Sequence, residues 1–344
     1  MEDLDDGSVS PEADILAVVA PHRLGEAAIF AIDQFLMRGG SLLLATSPFT
    51  AELSDGELRM QEWDSGLQDW LAHQGLSIAN TLVLDNKSAP FPAPVARQAG
   101  NYQFRDVQML DYPYFIDIRK RGLARSHPVT RSLPQLTMAW ASPISAELRD
   151  ERRVSTLLRS SPRSWLSDEM DVMPSVDAAG KSNFRSQGAS RGRQTLGVLL
   201  QGRFKSFFAG RPSPMDSVSA DQPVAFRSVL PHSAESARIV LFSSNDFLDD
   251  QVLSAVVTGS GTQYLGPIEP FLNTLDWALQ DDQLLDIRSR AHFNRTLPPM
   301  ERQAQVYIEY FNYGLAVLWL LLLALCHWLL KLLRRRRYTR GLSQ

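Results

Sequence analysis

The 344-residue sequence contains a single cysteine, Cys326. An intrachain disulfide is therefore excluded, and so is any CxxC zinc site. Cys326 lies inside the most apolar run of the chain, so no cysteine nucleophile exists elsewhere. Histidine is also sparse. His22, His73, His127, His232, His292 and His327 are scattered without HxH or HxxxH spacing, and no metal site is indicated. Nor is there a surplus of positive charge. The formal net charge is -3, which argues against a nucleic-acid partner, because phosphate contacts need a basic surface. The GxxxxGK[ST] loop, the GxGxxG fingerprint and the GxSxG elbow are all missing. The chain is not an ATPase of the first type, and no cofactor is expected.

What is present is sorted along the chain. The first six residues, MEDLDD, are acidic, and the last fourteen, KLLRRRRYTRGLSQ, are strongly basic. Of all residues, 44% are hydrophobic, enough for a sizeable core. The run LAVLWLLLLALCHWLLKLL is long enough to span a bilayer, which takes roughly 20 apolar residues. We expect a transmembrane helix over 313–333, with Tyr313, Trp319 and Trp328 among its aromatic residues and Lys331 near its end, where it can snorkel toward headgroups. Arg334, Arg335, Arg336 and Arg337 follow at once. By the positive-inside rule they place the C-terminus in the cytoplasm and the preceding 300 residues outside. The start of the sequence has no basic-then-apolar export signal. Either the chain is the C-terminal part of a longer protein, or the helix is a tail anchor on a cytoplasmic domain.

The rest reads as α/β. ADILAVVAP (13–21) and SLLLATSPF (41–49) are short apolar strands flanking an amphipathic helical pattern that ends at a Gly-Gly pair, which makes a βαβ unit. LQDWLAHQG is a helix, and NTLVLD (80–85) another strand. The prolines of APFPAPVARQAG (89–100) indicate a loop. Strands are expected around 112–122, 136–141, 195–204 and 236–242, a helix or strand around 154–158, and a helix from 267. The fold expected is an open, mostly parallel sheet. The domain plan is a flexible leader (1–12), an α/β region (13–300) with a break near 89–111 if it has two lobes, a connector (301–312), the helix (313–333) and a basic tail (334–344). Open parallel sheets bind ligands beyond the carboxyl ends of their strands. That singles out Pro21 and His22 after the first strand, Ser47 after the second, and Asn245 and Asp246 in SSND after a later one. The alternative role for Asn245 and Asp246 is to cap the following turn.

Several ordered pieces resemble the gliding-motility-type ABC transporter auxiliary components, the GldG-like proteins. They are DILAVVAPHRLGEAAIFAIDQFLMRGGSLLLATSPF, HPVTRSL, LLRSSPRSW, LGVLLQGRFKSFF, ARIVLFSSNDFLDD, FLNTLDWALQDDQLLDIRSR and the final helix with its arginines. The resemblance implies a flavodoxin-like or amidotransferase-like α/β portion outside the cytoplasmic membrane. It also implies a multispanning ABC permease and a separate ATPase as partners, besides membrane lipid. This family has an N-terminal span and earlier strands that do not appear here, so the edge of 14–20 is expected to need an upstream chain to complete the sheet. The function expected is a non-enzymatic subunit that binds or couples. The alternatives are a membrane-tethered hydrolase or transferase working near Pro21, Ser47 and Asp246, and a cytoplasmic tail-anchored interaction domain.

Overall fold

The computed structural model describes residues 4, 7–54, 57–99, 102–149, 152–174, 184, 192–217, 228–250, 252–254, 266–279 and 302–341. The chain divides into two compact units, Met1–Phe293 and Asn294–Gln344.

The first unit is built on a five-stranded sheet. Strand β1 (Ile15–Val19) feeds helix α1 (Glu26–Met37), which returns the chain to β2 (Ser41–Ala45), parallel to β1. The expected βαβ unit is therefore present. Every residue of β2 is buried, because the sheet is covered on both faces. Leu42 and Leu44 point to one side with Ile32, Phe35 and Leu36 of α1. Leu43 and Ala45 point to the other, with Val240 and Phe242. This is the two-residue alternation of a pleated strand, and burial of both faces explains the unbroken apolar sequence.

The sheet is of mixed orientation. Strand β14 (Arg238–Phe242) joins β2 in parallel, but β13 (Thr195–Gly202) runs antiparallel to β14, and β11 (Arg152–Arg159) antiparallel to β13. Four of the five strands therefore run in one direction and β13 is reversed. The order is β1-β2-β14-β13-β11. A continuous apolar run such as LGVLL reports burial on both faces and carries no information about direction, which is why the sequence reading missed the reversal. Residues 154–158, read as helix or strand, lie in β11.

The proline-rich stretch expected to be a loop is a strand. β7 (Ser88–Ala99) pairs antiparallel with the long β8 (Tyr102–Arg119), which in turn pairs with β9 (Gln135–Ala139). β7 is the edge of this three-stranded sheet. Its prolines, Pro90, Pro92 and Pro94, recur at every second position, so their missing N–H groups all fall on one side of the strand. That pattern is compatible with pairing on the other side, and edge strands are where proline is tolerated. Ser88–Ala99 and residues 102–116 thus pair with each other as neighbouring strands.

Smaller pairs complete the unit: β3 (Phe49–Ser54) with β4 (Glu57–Glu62), β5 (Leu76–Ile78) with β10 (Ile144–Ala146), and β6 (Leu82–Asp85) with β12 (Ser164–Ser167). The expected strand at 80–85 therefore lies outside the main sheet. Helix α2 (Gln68–His73) packs Trp70 and Leu71 into the α1 side of the core. Helices α3 (Pro128–Arg131) and α4 (Ile268–Ala278) meet on the opposite face, where Asn273 donates to the Val129 carbonyl at 3.0 Å. The continuation to 290, including the apolar patch at 284–287, lies outside the described residues. A third cluster joins Phe91, Tyr112, Phe115 and Trp140 edge to face beneath the β7–β8 pair.

The leader is partly ordered. Val9 is buried in the core, and the Arg38 guanidinium donates to its carbonyl at 3.0 Å. Isolated apolar residues, Leu4 and Val9, in a polar, acidic stretch were too weak a signal to reveal this anchoring.

The second unit is a single described helix, α5 (Arg302–Gly341). The expected connector at 301–312 is helical from Arg302, and so is the basic tail as far as Gly341. Within it Val306–Lys331 is long and apolar enough to cross a membrane, and none of that stretch is buried.

Candidate functional site

The three parallel strands β1, β2 and β14 end side by side, and the residues expected to line a ligand crevice follow those ends. They fall into two groups.

The first centres on SSND (243–246), whose side chains are all buried. Asn245 behaves like a short piece of added strand. Its Oδ1 accepts the Ser47 N–H at 3.2 Å, and its Nδ2 donates to the carbonyls of Ser47 (2.9 Å) and Phe49 (2.7 Å). The Ser47 hydroxyl shares a hydrogen bond with Ser142 at 3.1 Å and accepts from the Phe49 N–H. Asp246 accepts from the Thr50 hydroxyl at 2.6 Å and from the Ala51 N–H at 3.2 Å. Ser244 donates to the Ala139 carbonyl at 2.6 Å and accepts from the N–H groups of Asp246 and Phe247. It is thus Ser244 that caps the following turn, while Asn245 and Asp246 reach across to hold the β2–β3 connection. In this way one tetrapeptide ties β14 to β9 and to the start of β3.

Burial pushes the Asp246 carboxyl up to about 7, against the opposing effect of the hydrogen bonds from Thr50 and Ala51. A carboxyl poised near neutrality at the carboxyl ends of parallel strands is the kind of group that acid–base chemistry uses. Here both oxygens are occupied by internal donors.

The second group lies at the end of β1. Pro21 is buried, and its carbonyl accepts the Trp63 indole N–H at 2.7 Å. His22 is exposed, its ring 4.3 Å from that of Trp63 and tilted by 36°. The backbone here is strained, with Ala20 at φ 46° and Arg23 at φ 48°, a region costly for residues other than glycine. Trp63 follows β4, and its N–H donates to the Pro48 carbonyl at 2.7 Å. The β3–β4 hairpin is therefore fastened to both groups. The structure brings Ser47, Asn245 and Asp246 into one hydrogen-bonded cluster and puts Pro21 and His22 with Trp63.

Sequence reading did not find Ser142, Thr50 or Trp63, which lie far from their partners in sequence and carry no local motif. The residues expected to form the anchor, Tyr313, Trp319, Trp328 and Lys331, are all exposed on α5, and the Tyr313 hydroxyl donates to Glu309 one turn earlier at 2.8 Å. Arg334, Arg335, Arg336 and Arg337 continue the same helix.

The architecture defines a mixed α/β protein, with one helix among the described residues long and apolar enough to cross a membrane. The family model described as an ABC-type uncharacterized transport system matches residues 1–280. The chain belongs to that family, which comprises auxiliary components of ABC-type transport systems. No curated protein matches the sequence. Among solved structures, one titled mmIFT52 N-terminal domain aligns over 78% of this chain and 78% of its own length, at 9% identity and a TM-score of 0.37.

Proposed function

We propose that the chain is a membrane-anchored, non-enzymatic auxiliary subunit of an ABC transporter, of the gliding-motility (GldG-like) type. In this reading Val306–Lys331 is the anchor, the α/β unit lies outside the cytoplasmic membrane, and the basic end stays inside. The subunit works by binding or coupling beside a permease whose separate ATPase supplies the energy.

The observation that carries the reading is the helix itself. Its 26 residues, predominantly apolar, are unburied throughout, whereas a soluble core helix hides its apolar stripe. At 1.5 Å per residue they extend about 39 Å, enough for the roughly 30 Å hydrocarbon core. The direction follows from the arginines at 334–337. A non-enzymatic role is supported by the SSND cluster, whose polar atoms are spent on backbone and on one another.

Two measurements test this. Membranes washed with alkaline carbonate should retain the chain. Alkaline phosphatase fused before residue 1 should be active, and a fluorescent protein fused after residue 344 should fold in the cytoplasm. A chain released by carbonate would sink the anchor, and reversed reporters would sink the topology.

A further inference from the structure

A cavity of ≈ 190 Å³ opens where the end of β8 meets the end of β11. Among the described residues, six cations line it: Lys87, Arg119, Lys120, Arg121, Arg159 and Arg193. The one carboxylate among the described lining residues, Asp117, has an oxygen 2.8 Å from Arg119 Nε. The chain as a whole carries a net charge of -3, so this concentration of positive charge runs against the background. Like charges gathered around one concavity repel each other, and an anion held among them relieves that repulsion.

The walls are held in place by groups outside the cavity. Asp85 is fully buried at the end of β6. Its Oδ1 accepts the Lys87 N–H at 2.9 Å and the Ser161 hydroxyl at 2.6 Å, and its Oδ2 accepts the Ser161 N–H at 2.6 Å. One carboxylate thereby fixes the Lys87 wall and the Ser160–Ser161 wall together. The third wall is the turn after β8. Lys120 there adopts φ 48°. Gly122 lies so close to β11 that a Cβ on it would sit 2.6 Å from the Arg159 carbonyl oxygen. Only glycine lets the turn approach this closely, and the approach brings Arg121 and Arg159 to the same opening.

We propose that this cavity binds a phosphate-bearing anion. Guanidinium forks match the oxygens of a phosphoryl group in geometry and charge, and a basic concavity raises the local concentration of such anions. The volume is below the roughly 300–1,000 Å³ of sites that enclose a whole small molecule. It suits one or two phosphoryl groups, with the remainder of the ligand outside. Such a group can belong to a soluble phosphate compound or to a lipid headgroup. The proposal does not depend on which side of the membrane the unit occupies.

The test uses the full chain in phosphatidylcholine nanodiscs, titrated with inorganic pyrophosphate by calorimetry. One saturable site per chain is expected, with affinity falling as salt is raised. The Arg121→Glu/Arg159→Glu variant should bind at least 10-fold more weakly, and the milder Arg121→Gln should lose part of the affinity. Arg153→Glu makes the same charge change at the far end of β11 and should leave binding within 2-fold. Unchanged thermal midpoints exclude misfolding as the cause. Adding phosphatidylglycerol to the discs separates the sources: competition with pyrophosphate identifies a lipid headgroup, and unchanged affinity identifies a soluble phosphate. Absence of saturable binding, or equal weakening by Arg153→Glu, would overturn the proposal.

Discussion

The indole N–H of Trp70 donates to Oδ1 of Asp33 at 3.0 Å, in a position where both residues are buried. The same carboxylate accepts from the Ser206 hydroxyl at 2.6 Å and the Phe207 N–H at 3.0 Å. Asp33 therefore joins α1, α2 and the loop after β13 through one buried side chain.

Removing that acceptor strands buried donors, the costly direction of change. Asp33→Ala is expected to destabilise the chain by about 2–3 kcal/mol, the scale found for leaving buried neutral donors unsatisfied. Asp33→Asn keeps one acceptor oxygen and should cost less. Urea unfolding of the detergent-solubilised chain, followed by tryptophan fluorescence, measures both. A loss under 1 kcal/mol for Asp33→Ala would refute the assigned role.

Asp246 makes stability depend on pH. Its folded-state pKa is raised to about 7 from an ordinary value of 3.8. Between these values the folded state holds more protons than the unfolded state. This group's contribution is therefore most favourable near pH 4, falls as the pH rises through the window, and levels off above about 7. Asp246→Asn has no such slope. The stability of the variant relative to the parent should rise by a few kcal/mol from pH 4 to pH 7.5. Parallel stability profiles for the two proteins would contradict the burial argument.

The prolines of β7 are expected to protect the chain from self-association. Replacing Pro90 and Pro92 with valine restores two main-chain donors on an edge strand and raises β-propensity. Light scattering during concentration should show aggregation of the double variant at lower protein concentration than the parent. No difference would mean that the edge is shielded in some other way.

Charge placed in the centre of α5 should defeat the anchor. Leu320 and Leu321 are both exposed. An arginine at the middle of a span costs roughly 2.5–3.5 kcal/mol on insertion scales. Leu320→Arg/Leu321→Arg should shift the chain from the carbonate-resistant to the released fraction, while Lys331→Arg should not. Equal retention of all three forms would argue against a lipid-facing helix.

The sequence made some of this legible and hid the rest for physical reasons. β1, α1 and β2 were readable because local signals agreed: an apolar strand, a helical period and a Gly-Gly stop. β7 was misread because proline is weighed by its average preference, whereas at alternate positions on an edge it removes donors the sheet does not use. The antiparallel direction of β13 left no trace in an apolar run buried on both faces. SSND was visible as a polar cluster after a strand, but its partners Ser47, Thr50 and Ser142 lie about 100 to 200 positions away. The basic cavity was not legible at all: Arg119, Lys120 and Arg121 are neighbours in sequence but end a stretch read simply as a strand. Lys87, Arg159 and Arg193 join them only through the fold.

Helix α5 runs without proline from Arg302 to Gly341, about 60 Å of rod at 1.5 Å per residue. Prolines are the usual cause of sharp kinks, so in the anchored arrangement proposed above such a rod would meet a thinner bilayer by leaning over. Leaning about a point in the lipid moves its two ends in opposite directions, as on a seesaw. A change in membrane thickness is thereby converted into sideways displacement at both surfaces at once.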